Sequence, residues 1–167
     1  MRPDPAVPAV DLHDLRRILR QARSIAVVGL SAEWHRPSYF AASYMQHHGY
    51  RILPVNPRYA GGQILGMACV ARLEDLTEPI DIVDVFRKTA DVAAVADSAL
   101  ALAGQLGIRC LWQQLGVVDD ASAQRARAAG LDAVQDRCVK IEHARLFGGL
   151  HWAGVNTGVI SARRART

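Results

Sequence analysis

The sequence predicts an α/β fold: a doubly wound sheet of about five mainly parallel strands, with helices on both faces. Three observations carry that expectation. Short apolar runs alternate with helix-length segments at βα spacing along the whole chain. Gly49, Gly107 and Gly130 sit where the helices should stop. The first apolar run, Ser24-Ile25-Ala26-Val27-Val28-Gly29, ends in a glycine and opens onto a polar loop, Leu30 to Arg36, before Pro37 starts a helix. A strand, a glycine and a helix start in that order are how an open sheet presents a ligand site, because the glycine admits close approach and the helix start offers N–H groups to an anion.

The elements follow in order. Residues 1–10 are Pro-rich and read as a flexible lead-in. Asp11 is the expected N-cap of a first helix, whose stripe is Leu12, Leu15, Ile18 and Leu19. The first strand spans 24–29. A helix runs from Pro37, tolerated in a first turn, to about His48. Arg51 to Val55 is a second strand, closed by Asn56-Pro57. Residues 63–70 hold a short extended piece and 73–76 a helical turn. Ile80 to Phe86 is the third strand, and Thr89 is the expected cap of a helix over 90–106. Strands at 108–112 and 131–134 flank a helix near 119–129. A last helix covers 138–146. Residues 147–161 are Gly-rich and aperiodic, and the boundary of the domain is placed at 11–147, with 148–167 as a C-terminal extension.

Composition fits one globular domain: 167 residues, 50% hydrophobic and 22% charged. The net charge of +4 is uneven, since Arg163, Arg164 and Arg166 crowd the end. A solvated tail, not nucleic-acid binding, is the expectation. The three cysteines are widely spaced, without a Cys-x-x-Cys pair, so no disulfide framework is expected and a reducing, cytoplasmic setting follows. No apolar run is long enough to span a bilayer.

Right-handed crossovers would bring the segments 29–38, 55–58, 85–88, 112–116 and 135–138 to one edge. In the first, Gly29, Leu30, Ser31, Arg36 and Ser38 look like a cradle for a pyrophosphate. The loop is neither G-x-G-x-x-G nor a P-loop, and strand two ends in Val55-Asn56-Pro57-Arg58, without the acidic residue of an NAD site. Asn56 either bonds a ligand edge or shapes a turn. Phe86 offers a ring to stack and Arg87 a cation for a phosphate. Trp112 reads as packing, whereas Gln113 and Gln114 suggest a polar lining. Asp84, in an apolar strand, is expected to cap a neighbouring loop. Cys138 lies near Arg137 and Lys140, cations that lower a thiol pKa, and is the candidate reactive thiol beside the alternative of an inert packed one. Glu142 and His143 read as structural, and no metal-ligand spacing or catalytic pair stands out.

The set Ala26-Val27-Val28-Gly29-Leu30-Ser31, Arg36-Pro37-Ser38, Pro54-Val55-Asn56-Pro57, Asp81 to Arg87, Trp112-Gln113-Gln114-Leu115-Gly116 and Asp136 to Glu142 resembles the small stand-alone CoA-binding domain proteins. These are similar to the CoA-binding domain of the succinyl-CoA synthetase alpha subunit. The resemblance covers about residues 12–147. It implies a Rossmann-like fold that binds coenzyme A, or an acyl-CoA or CoA disulfide, at the strand C-termini. It would set loop 29–38 on the pyrophosphate, 55–58 and 86–87 beside the adenosine, and 112–114 toward the pantetheine arm. Ligase activity is not implied, because the domain that carries the synthetase's phosphorylated histidine has no counterpart here. The competing functions are a nucleotide-dependent oxidoreductase and a CoA-sensing regulatory module. A second copy of the chain or a protein partner is compatible with either CoA reading.

Overall fold

The computed structural model describes residues 10–148. The lead-in before Val10, most of the C-terminal extension and the terminal arginines lie outside the described residues.

Five parallel strands form the central sheet: β1 (Ser24–Val28), β2 (Arg51–Val55), β5 (Ile82–Val85), β6 (Cys110–Gln113) and β7 (Asp132–Val134). Their spatial order is β2-β1-β5-β6-β7, so the order reverses between β1 and β5. A small antiparallel hairpin, β3 (Gln63–Ile64) with β4 (Met67–Ala68), fills the stretch expected to be merely extended. Helices α1 (Leu12–Gln21), α2 (Pro37–His47) and α5 (Val139–Phe147) share one face of the sheet, and α3 (Val92–Leu106) and α4 (Asp120–Ala128) pack on the other. This is the doubly wound α/β architecture that the alternation of elements predicted.

Local chemistry sets the boundaries. Asp11 caps α1 by accepting from the Asp14 N–H at 2.8 Å. Pro37 stands at the first turn of α2, and Gly49 beyond it has φ +93°. Two expectations fail. The third strand is shorter than Ile80 to Phe86: at its start Ile80 N–H turns away to donate to Leu106 O, and beyond Val85 the bond from Phe86 N–H to Val28 O of β1 is the last of the ladder. Thr89 is not a cap; a single 3-10 turn, Thr89–Asp91, leads into α3, which begins without a side-chain cap.

The core has two layers. One face of the sheet presents Ile25, Val27, Ile52, Ile82, Cys110, Trp112 and Val134 to α1, α2 and α5. The other presents Ala26, Leu53, Val83, Val85, Leu111 and Ala133 to α3 and α4. Such alternation along each strand follows from side chains pointing to opposite faces in turn.

Candidate functional site

The order reversal between β1 and β5 opens a crevice at the strand C-termini, the usual ligand position in an open parallel sheet. Gly29 ends β1 with φ +89°. A Cβ there would lie 2.2 Å from the Phe86 carbonyl oxygen and 2.9 Å from the Arg87 Cδ. The glycine is therefore demanded by the chain's own backbone after β5, not by an approaching ligand as expected. It locks the ends of β1, β2 and β5 together, since Gly29 N–H also donates to Val55 O at 2.8 Å.

Two recesses flank this junction. The larger, about 840 Å³, is lined among others by Pro37, Phe86, Gln114, Val117, Cys138 and Ile141. The smaller, about 310 Å³, lies between the ends of β1 and β2 and the start of α3, with Gly29, Val55, Pro57 and Leu73 in its wall. Arg87 and Asp91 line both recesses, so the two meet there. Arg87 Nε lies 3.6 Å from Asp91 Oδ2, and both side chains are exposed. The larger volume suits a drug-sized ligand.

The expected site residues divide into two groups. Gly29, Val55, Pro57, Phe86, Arg87, Gln114 and Cys138 line one recess or the other. The rest line neither recess. Ser38 is buried, and its hydroxyl accepts from Ser31 N–H at 3.0 Å. Ser31 Oγ accepts in turn from Glu33 N–H. Leu30 is fully buried, and its carbonyl accepts from Asn56 Nδ2 at 3.0 Å. Asn56 Oδ1 accepts from Arg58 N–H, so this side chain shapes the 57–59 turn. Arg36 is exposed and bonded to Glu33 Oε2 at 2.9 Å. Arg58 is also exposed, its guanidinium over the Tyr59 ring. Trp112 is fully buried and donates from Nε1 to Arg137 O. Gln113, equally buried, bonds both its amide atoms to the Asp119 backbone. Neither Trp112 nor Gln113 lines the recesses.

Asp84 departs from its expected role. Asp81 performs the capping instead, accepting from Arg23 N–H at 2.6 Å and Ser24 N–H at 3.1 Å. The Asp84 carboxyl is buried in β5 between Val27 and Trp112 of the adjoining strands, and accepts from Gln114 Nε2 at 2.5 Å. Burial pushes it up to about 8, so the neutral acid prevails at pH 7. Gln114 comes from the loop after β6, and its Oε1 has no partner although it is buried.

Of the two readings of Cys138, its surroundings favour the packed, unactivated thiol. Its thiol is pushed up, mainly by burial, with the nearby Asp84 adding to the shift, against smaller opposing contributions from the Ile141 and Lys140 backbone N–H groups and the Lys140 charge. The neighbouring cations do not prevail: Arg137 pairs with Glu142 at 3.3 Å, and Lys140 sits over the Phe40 and Tyr44 rings. Cys138 thus faces the larger recess as a protonated thiol. Glu142 and His143, expected to be structural, both have partners inside the protein. Glu142 is buried between Arg137 and Arg145. His143 accepts or donates at Nδ1 with Tyr44 OH at 3.0 Å and lies among Tyr50, His48 and Phe147.

Residues 23–144 match the family described as CoA binding domain. The chain belongs to that family. It is 35% identical over 131 residues to the uncharacterized protein YneT of Bacillus subtilis, covering 78% of this chain and 93% of that one. A Thermus thermophilus structure shares 38% identity and a TM-score of 0.76, covering 83% of this chain and all of its own. A Pyrococcus horikoshii protein shares 30% identity with a TM-score of 0.77, over 89% of this chain and all of its own. An acetyl-coenzyme A synthetase of Ca. Korarchaeum cryptofilum, in complex with phosphate and ADP, superposes with a TM-score of 0.60 at 18% identity, which is likeness of fold. It covers 74% of this chain and 27% of that one. Family membership supports CoA binding in general. No helix among the described residues is long and apolar enough to cross a membrane.

Proposed function

We propose that this protein binds coenzyme A along the C-terminal edge of the sheet, as a carrier or sensor of the ligand and not as a catalyst. The observation that carries the reading is the pair of recesses that meet at Arg87, beside the Gly29 loop and the start of α2. CoA is a two-part molecule. Its compact nucleotide end suits the smaller recess beside Pro57, and its long uncharged arm suits the larger one. The phosphates then lie near Arg87 and the first turn of α2, where cation and helix start both favour an anion. Arg36 reaches them by exchanging Glu33 for a phosphate.

A nicotinamide ligand finds less support. Asn56, at the end of β2, is a neutral side chain with Leu30 O and Arg58 N–H as its partners. A ribose-binding carboxylate is absent from that position. The test is thermal denaturation with and without CoA. A ligand present at 100 times its Kd stabilises by about 2.7 kcal/mol, which shifts the midpoint by several degrees. No shift with CoA, and a shift with NADH, would replace this reading by the oxidoreductase one.

A further inference from the structure

Helices α1, α2 and α5 all end at the N-terminal edge of the sheet, opposite the crevice at the strand C-termini, and a recess of about 270 Å³ opens among their last turns. Arg20, Arg23, His48, Tyr50, His143 and Phe147 are among the residues that line it, and no described acidic residue does. Helix C-termini favour cations. Here their carbonyls are already answered from within the chain: Tyr50 OH donates to Leu19 O at 2.6 Å, Arg23 donates to Arg20 O and Ala22 O, and His48 Nδ1 bonds Tyr44 O at 2.8 Å. The positive charge of the rim is therefore in surplus. Among the described residues neither Arg20 nor Arg23 stands in an ion pair, and both are exposed.

His143 is the buried polar counterpart of that rim, at 7% exposure. Its Nδ1 is held by Tyr44 OH at 3.0 Å, and the ring centroids of His48, Tyr50 and Phe147 lie 4.9, 5.6 and 5.0 Å from its own. Its Nε2 has no protein partner among the described residues. Nor is Nε2 one of the sealed side-chain atoms left unpaired there, which belong to Gln114, Gln135 and Arg145. It is reached through the recess that the imidazole lines. Burial, with His48 adding, keeps the ring neutral near pH 7, so it offers a hydrogen bond and not a charge.

We propose that this recess is a second ligand site, for a small hydroxylated aromatic carboxylate. The three zones of the wall match the three parts of such a molecule. Arg20 and Arg23 at the rim take the carboxylate, for which a guanidinium supplies paired donors. Tyr50, His48 and Phe147 take the ring. His143 Nε2, at the buried end, takes the hydroxyl. The small volume excludes a nucleotide and suits a single ring. The recess is separate from the CoA crevice, and its occupancy does not depend on what that crevice binds.

The experiment follows backbone amide resonances of the full chain during titration with three probes: 4-hydroxybenzoate, benzoate, which lacks the hydroxyl, and 4-hydroxybenzamide, which lacks the charge. The hydroxybenzoate should saturate with a Kd of about 1 mM or tighter and move the amides of Leu19 to Arg23, His48 to Tyr50 and His143 to Phe147. Each of the other probes should bind about fivefold more weakly. Replacing both exposed arginines, Arg20→Gln with Arg23→Gln, should weaken the hydroxybenzoate about tenfold and leave the benzamide within about twofold. His143→Phe should abolish the preference for the hydroxybenzoate over benzoate. Equal affinity for the three probes, affinity indifferent to the arginine substitutions, shifts confined to the opposite edge, or no saturable shift would overturn the assignment. So would movement of the same amides on dilution of the protein alone, which would give the recess to a second copy of the chain.

Discussion

The two faces of the sheet are built by the same topology but carry different chemistry. Toward α3 and α4 the buried layer sets the helix alanines Ala96, Ala99, Ala123 and Ala126 against Leu53, Val83, Leu111 and Ala133 of the sheet, and its buried polar residues, Gln113 and Ser122, gather at Asp119 before α4. Toward α1, α2 and α5 the layer includes Trp112 and Cys110, with the buried Asp84 on the same strand face as Ile82, and Glu142 and His143 on α5. One face is mostly scaffold, its polar residues Gln113 and Ser122 both tied to Asp119. The other holds buried ionisable groups, Asp84 on Gln114, Glu142 between two arginines and His143 on Tyr44, and it is the face whose upper rim opens into the larger recess. Function in this fold is therefore expected where burial is most expensive, not where it is easiest.

The sharpest way to break the comparison is at the junction both faces share. Gly29→Ala places a methyl group against the Phe86 carbonyl at a positive φ, and it should cost about 3 kcal/mol in urea denaturation. A loss below 1 kcal/mol would mean that the ends of β1 and β5 shift apart easily. The polar face is next. The folded Asp84 keeps its proton up to about pH 8, whereas an unfolded one loses it near pH 4. The folded state binds more protons in between, so stability falls as pH rises through that window. Wild type should lose about 2 kcal/mol between pH 6 and 8 relative to Asp84→Asn; parallel curves would show that Asp84 is ionised in the fold.

The His143 contribution has the opposite sign. Burial, with His48 adding, depresses it to about 4, so the unfolded state binds the extra proton and stability falls as pH drops below about 6.5. Between pH 6 and 5 the loss should be about 1 kcal/mol greater in wild type than in His143→Gln. Equal acid sensitivity would remove the assignment. The smallest effect on stability belongs to the rim. Arg36→Ala breaks an exposed pair with Glu33 and should leave the urea-denaturation midpoint nearly unchanged, while weakening CoA about fivefold. Unchanged affinity would take Arg36 off the phosphates.

The framework of both faces was legible in the sequence because it depends on local pattern: apolar runs, helix periods and glycine stops place the five sheet strands and five α-helices of the described residues to within a few residues. The polar face was legible only in part. Asp84 stood out as an acid in an apolar strand, and Gln113-Gln114 as paired amides, but nothing local says that Asp84 meets Gln114, thirty positions away, or that Gln113 points to the opposite face and bonds Asp119 before α4. The Gly29 requirement is also non-local, since its cause is the Phe86 carbonyl. For Cys138, nearby cations in sequence suggested a lowered pKa, but burial decides the sign, and burial is a property of the packed α5 terminus.

Native mass spectrometry of the purified protein, followed by denaturation, tests the central claim most directly. With CoA present, the account predicts one CoA mass per chain in the native spectrum and none after denaturation, because Cys138 faces the ligand as a protonated thiol. A native spectrum without the increment at saturating CoA would contradict the claim that this edge of the sheet is a CoA site.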